Sequence, residues 1–90
     1  MDQDENQLID RIRNGETQRY RILVERHAAR LTAYLASRLR DPVTVQDLVQ
    51  ETFIAAFQNL DRFQGRSLFS SWLIGIGHKK MLVHLRATTQ

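Results

Sequence analysis

Apolar residues recur along this chain at spacings of three and four, and no run of alternating apolar and polar positions carries turn signals on both sides. The pattern predicts helices and no strand. Leu8, Ile9 and Ile12 share one face of a short first helix over Asp4 to Arg13, which Asn14-Gly15 stops. Tyr20, Leu23, Val24, His27, Leu31, Tyr34, Leu35 and Leu39 form the stripe of a longer second helix that runs to Arg40, where Asp41-Pro42 breaks it. Thr44-Val-Gln-Asp47 reads as a variant capping box opening a third helix, with Thr44 as N-cap. Val45, Leu48, Val49, Thr52, Ala56 and Leu60 are its inward face. Asp61 to Arg66 forms a loop around Gly65, and Ser67 caps a fourth helix running to about Ala87. Phe69, Trp72, Leu73, Ile76 and Val83 supply the buried face of that helix. The expected fold is all-α, a compact bundle of about four helices.

Composition narrows what such a bundle can do. Ninety residues suffice for one core and not for two. With no cysteine, neither a disulfide nor a thiolate metal site can staple it. The longest apolar runs, such as Phe53 to Phe57, fall far short of the roughly 20 residues that a membrane span needs. MDQDENQ is acidic where a secretory signal would be basic and then apolar, so the cytoplasm is the expected compartment and no membrane partner is expected. No phosphate-binding glycine loop and no acid/base pair with a pocket is recognisable, which argues against an enzyme and against a cofactor. His78 and His84, six apart, do not share a helical face, and His27 on an apolar stripe reads as a core or boundary residue rather than a ligand.

Charge is distributed unevenly. Residues 1–60 carry 8 Lys/Arg against 9 Asp/Glu, whereas residues 61–90 carry 5 against 1. The basic end comprises Arg62, Arg66, Lys79, Lys80 and Arg86, with His78 and His84 among them. Such a gradient fits a surface that meets phosphates, and equally a solvated face. On the third helix, Asp47, Gln50 and Glu51 fall on the exposed side, where they either solvate the helix or offer acceptors to a basic partner. In the loop, Phe63, Gly65, Arg66 and Ser67 can supply a wall, close backbone approach, a phosphate contact and a hydroxyl to an unstacked base. Phe63 serves equally well as a core plug under the loop, and Trp72 reads as core at its helical spacing. Gly75 and Gly77 each cost the fourth helix roughly 1 kcal/mol relative to alanine, so they either permit close packing or leave the helix soft.

Asp41-Pro42 with Asp47-Leu-Val-Gln-Glu-Thr-Phe53, then Leu60-Asp-Arg-Phe63, Gly65, Ser67, Phe69, Trp72-Leu73, Ile76 and His84-Leu-Arg86, resemble region 2 of bacterial sigma factors, particularly the extracytoplasmic-function group. In that resemblance Asp4 to Arg40 correspond to regions 1.2 and 2.1, Thr44 to Leu60 to region 2.2, and Asp61 to Ala87 to regions 2.3 and 2.4. It implies that Asp47, Gln50 and Glu51 bind the clamp helices of the β′ subunit of RNA polymerase. It further implies that Arg62, Phe63, Gly65, Arg66, Ser67, His78, Lys79 and Arg86 recognise and hold the melted non-template strand of the −10 promoter element. An anti-sigma factor is a further partner that it admits.

The sequence also departs from the family. Lys79 stands where many members have Asn, Lys80 where a small or apolar residue is common, and Val83 where an acid or amide is common. A lysine donates and cannot accept, so a base contact there would favour acceptor edges or give way to a phosphate. These departures keep open an alternative, a helical protein-interaction domain derived from a sigma factor that has lost promoter reading. Nothing in the ninety residues resembles region 4, and Ala87 to Gln90 reads as the start of an interdomain linker.

Overall fold

The computed structural model describes residues 2–88, and side chains from Glu5 to Thr88. Among them the chain forms four α-helices, α1 (Asp2–Arg13), α2 (Tyr20–Ala36), α3 (Pro42–Gln58) and α4 (Phe69–Thr88), with 3₁₀ turns at Thr17–Arg19 and Leu60–Arg62 and no strand. Thr89 and Gln90 of the expected linker lie outside the described residues, while Ala87 and Thr88 still belong to α4.

Asn14-Gly15 ends α1 as its residue types dictate. Gly15 takes a φ of 113°, and the Gly15 and Glu16 N–H groups donate back to the carbonyls of Ile12 and Arg11, both at 3.1 Å. That pair of bonds is a Schellman cap. Glu16 then gathers the Nε atoms of Arg19 at 2.6 Å and Arg11 at 3.4 Å. The hydrogen bond from Arg19, followed by the nearby guanidinium charges, holds its carboxyl below the usual range.

Two helix boundaries differ from the expected ones around Asp41-Pro42. The second helix ends at Ala36 instead of Arg40, because the Ser37 hydroxyl and the Arg38 guanidinium both donate to the Tyr34 carbonyl, at 2.7 and 3.1 Å, and close the last turn. The third begins at Pro42, so Asp41 and not Thr44 is its N-cap. Proline is well suited to the first helical position, where its missing N–H is no loss. The Asp41 carboxylate accepts from the Thr44 hydroxyl at 2.7 Å and the Val43 N–H at 3.3 Å. These bonds, the Thr44 hydroxyl first, hold its carboxyl below the ordinary value, helped by the charge of His84 near the end of α4.

The core lies where α2, α3 and α4 pack against one another. Ile9 and Ile12 of α1, Leu23, Leu31 and Leu35 of α2, and Val45, Leu48, Val49, Phe53 and Ala56 of α3 are all buried. Thr52 is fully buried too, its hydroxyl donating to the Leu48 carbonyl at 2.6 Å. On α4 the buried line is Phe69, Leu73, Gly77 and Met81, one residue per turn. Gly77 is there for space: a Cβ would stand 2.9 Å from Leu31 Cδ1 and 3.4 Å from Thr52 Oγ1. Gly75 faces open space and has no such reason.

Two further expectations for α4 are corrected. Ser67 does not cap it: the helix starts at Phe69, and Ser67 Oγ donates to the Leu68 carbonyl at 3.4 Å. Val83 is 62% exposed rather than buried, because it lies two residues past Met81, off the inward line.

Candidate partner and nucleic-acid interfaces

Asp47, Gln50 and Glu51 all lie on the exposed side of α3, and neither carboxylate has an ion-pair partner among the described residues. The same stripe continues with Ile54 and Phe57, which are 58% and 42% exposed although both are large and apolar. Residues 47, 50, 51, 54 and 57 follow helical spacing, so one face of α3 is acidic at its start and apolar at its end. Beside the apolar end runs an open groove of about 740 Å³ between α2 and α3, lined by Tyr20, Val24, Phe53, Ile54 and Phe57. Its floor is fixed by Tyr20, which meets Phe57 edge-on at 4.9 Å and donates its hydroxyl to the Phe53 carbonyl at 2.5 Å. Burial pushes the Tyr20 phenol well above its ordinary value. Ile54 and Phe57 were missed from the sequence, although the run Phe53 to Phe57 is apolar on more sides than a single core stripe uses.

The loop before α4 is built on aromatic packing below and polar restraint behind. Phe63 is a core plug, 4% exposed, and packs against Phe69 at 5.7 Å and Trp72 at 5.2 Å. It therefore presents no free wall to a base, while half-buried Trp72 closes the same aromatic cluster from the outside. Arg62, Gly65, Arg66 and Ser67 are exposed above it. Gly65 needs its glycine, because its φ is 73° and a Cβ would lie 3.3 Å from the Asn6 amide.

Lys79 and Arg86 are also exposed, but the structure does not gather them into the loop. Ten residues of helix separate Phe69 from Lys79, about 15 Å along the axis. Trp72, Lys79 and Arg86, at i, i+7 and i+14, instead mark one face of α4. Lys79 borders a separate groove of about 310 Å³ between α3 and α4, with Ala55, Asn59, Ile76, Lys80 and Val83. His78 turns away from that groove's lining: its Nδ1 is 2.8 Å from the hydroxyl of Tyr34, over whose ring the Arg38 guanidinium lies at 3.9 Å. His27 is satisfied at the boundary, with Nε2 3.0 and 3.1 Å from the Glu5 carboxylate oxygens and its ring 5.1 Å from Phe69. Among the described residues no cluster of His, Asp or Glu could hold a metal, and no helix is long and apolar enough to cross a membrane.

A helical bundle with an acidic and apolar stripe on one helix and a basic face on the next defines a class that family comparison makes definite. Residues 23–90 match the Sigma-70 region 2 family, and the chain belongs to it. Within that family it is a region 2 domain of the extracytoplasmic-function kind. It is 39% identical over 69 residues to the ECF RNA polymerase sigma-E factors of Escherichia coli K12 and Salmonella typhimurium LT2, covering 77% of this chain and 36% of each relative. It is 30% identical over 83 residues to the RNA polymerase sigma-H factor of Pseudomonas aeruginosa, covering 92% of this chain and 43% of that one. The chain thus spans less than half the length of these curated relatives.

Proposed function

We propose that the chain acts in transcription initiation as the region 2 module of a sigma factor, a non-enzymatic role. The exposed stripe of α3 docks on the β′ clamp helices of RNA polymerase, with Asp47, Gln50 and Glu51 accepting from basic residues and Ile54 and Phe57 burying apolar surface beside them. The loop from Arg62 to Ser67 and the Lys79–Arg86 face of α4 hold the melted non-template strand of the −10 element. One observation carries this reading: oppositely charged surfaces stand on different helices of one packed core, so a protein partner and a nucleic acid can be engaged at once.

The arrangement divides the chemistry. Polar rims fix orientation and register while the apolar end of the stripe supplies buried area. Arg62 and Arg66 flank the loop as phosphate contacts, and Lys79 reaches a base or phosphate farther along the strand. Exposed Val83 next to Lys79 favours the alternative, an interaction domain that has lost promoter reading. Titrating the chain into core polymerase, then adding fluorescent single-stranded −10 oligonucleotide, separates the two. Polymerase binding with salt-sensitive, strand-selective DNA binding supports the first reading; polymerase binding alone supports the second.

A further inference from the structure

Arg13 is the last residue of α1, yet its guanidinium reaches the turn from which the DNA-facing loop departs. Nε and Nη2 donate to the Leu60 carbonyl at 3.1 and 2.9 Å, and Nη2 donates also to the Phe63 carbonyl. Nη1 is held by the Asp10 carboxylate at 3.1 Å, so the fork is oriented from behind. The Leu60 carbonyl also receives the Phe63 N–H at 3.1 Å, which makes it the closing group of the 3₁₀ turn. A planar guanidinium fixes the direction of its acceptors as well as their distance, which a lysine cannot do.

A second side chain borders the loop two turns earlier on the same helix. The Asn6 amide backs Gly65, 3.3 Å from where a Cβ would be. Asn6, Asp10 and Arg13, at i, i+4 and i+7, make a polar edge of α1 distinct from the buried Ile9 and Ile12 edge. With Phe63, Gln64 and Gly65 they line a pocket of about 160 Å³ under the loop. The Phe63 ring is already held by Phe69 and Trp72, so the fork adds direction to the backbone where packing has supplied burial.

We infer that Arg13 is a positioning residue for nucleic-acid reading: with Asn6 it sets the path of residues 64–67, so that Gly65 and Arg66 meet a base and its phosphate in one geometry, without touching DNA itself. The inference rests on the proposed reading of a single strand by that loop. Recognition groups need placement to within about half an ångström, which a glycine-containing loop achieves only if something restrains it.

The test uses Arg13→Lys, which keeps the cation and loses the fork, and Asn6→Ala, which keeps the core untouched should the first fail to fold. Each is bound to core polymerase and titrated by anisotropy with single-stranded −10 oligonucleotides varied one base at a time, alongside amide hydrogen exchange of residues 64–67. The expected result is unchanged polymerase affinity, faster exchange in the loop, and a spread between best and worst base that narrows by roughly tenfold at one position for Arg13→Lys and by less for Asn6→Ala. Equal weakening across all sequences with a fall in Tm marks a merely structural arginine and overturns the inference. Undiminished base discrimination in both variants overturns it while leaving the DNA reading intact. A wild-type complex that binds no single strand removes the reading and, with it, the positioning role.

Discussion

The Tyr20 hydroxyl donates to the main-chain carbonyl of Phe53 across 2.5 Å, tying the first residue of α2 to the middle of α3. This bond braces the groove beside the exposed Ile54 and Phe57, so the apolar end of the exposed α3 stripe rests on a fixed floor. Tyr20→Phe removes it and should cost about 1 kcal/mol in urea unfolding at neutral pH. The pH dependence has a definite sign. The folded phenol is raised above its ordinary value of 10.0, so its contribution is complete below pH 10 and is lost as pH rises beyond it, when the unfolded chain ionises first. The alkaline fall in stability should therefore be shallower in Tyr20→Phe than in wild type, and identical limbs would show that the phenol titrates freely.

Gln50→Ala combined with Glu51→Ala should weaken association with core polymerase by roughly tenfold while leaving Tm nearly unchanged, because exposed polar positions contribute little to folding. Phe57→Ala should also weaken association through lost apolar area, since the residue is 42% exposed in the free domain, and should lower Tm because the ring packs on Tyr20. Wild-type affinity in both variants would take the clamp-helix assignment off α3.

The two glycines of α4 should respond oppositely to alanine. At Gly75 nothing lies within 4 Å of the added Cβ, so Gly75→Ala should gain about 0.5–1 kcal/mol from helix propensity. At Gly77 the Cβ meets buried Leu31, and overpacking that site should turn the gain into a net loss of about 1 kcal/mol. Paired thermal melts decide it, and a stabilised Gly77→Ala would mean that Leu31 yields more readily than a close-packed core allows.

What the sequence made legible followed from periodicity. Val45, Leu48, Val49, Thr52, Ala56 and Leu60 are all buried as their spacing requires, and Gly15 ends α1 with the positive φ that Asn-Gly invites. Boundaries near Asp41 were less legible because Asp-Pro is both a helix breaker and a favoured N-cap pair, and only the second role moves the start of α3 to Pro42. Val83 was misplaced because a stripe of threes and fours admits two lines on α4, and contact with Leu31 and Thr52 selects the one through Gly77. Arg13 left no local signal, since its acceptors lie 47 and 50 residues away.

Trp72 stands between core and surface. Its indole packs 5.2 Å from Phe63 and 5.7 Å from Phe69 but is only half-buried, so Trp72→Ala should cost about 2 kcal/mol, short of the 3–5 of a fully buried ring. It should also loosen the loop through Phe63. A variant of wild-type stability that has lost only DNA binding would reassign the indole to a stacking platform.

Arg66 and Lys79 should both contribute to strand binding, and their positions predict different signatures. Arg66 is exposed on the loop beside Gly65, whereas Lys79 lies on α4, about 15 Å along the axis from Phe69, at the rim of the groove with Asn59 and Val83. Arg66→Ala should weaken all sequences alike and lower the salt slope by up to about one unit, as expected for one lost phosphate contact. Lys79→Asn replaces a pure donor with a group that donates and accepts, so it should change which base is preferred at one position of the −10 element. Anisotropy on single-base variants at several salt concentrations, with core polymerase present, reads both effects. Uniform weakening by both variants would make Lys79 a phosphate contact, and the groove beside it would then have no part in base recognition.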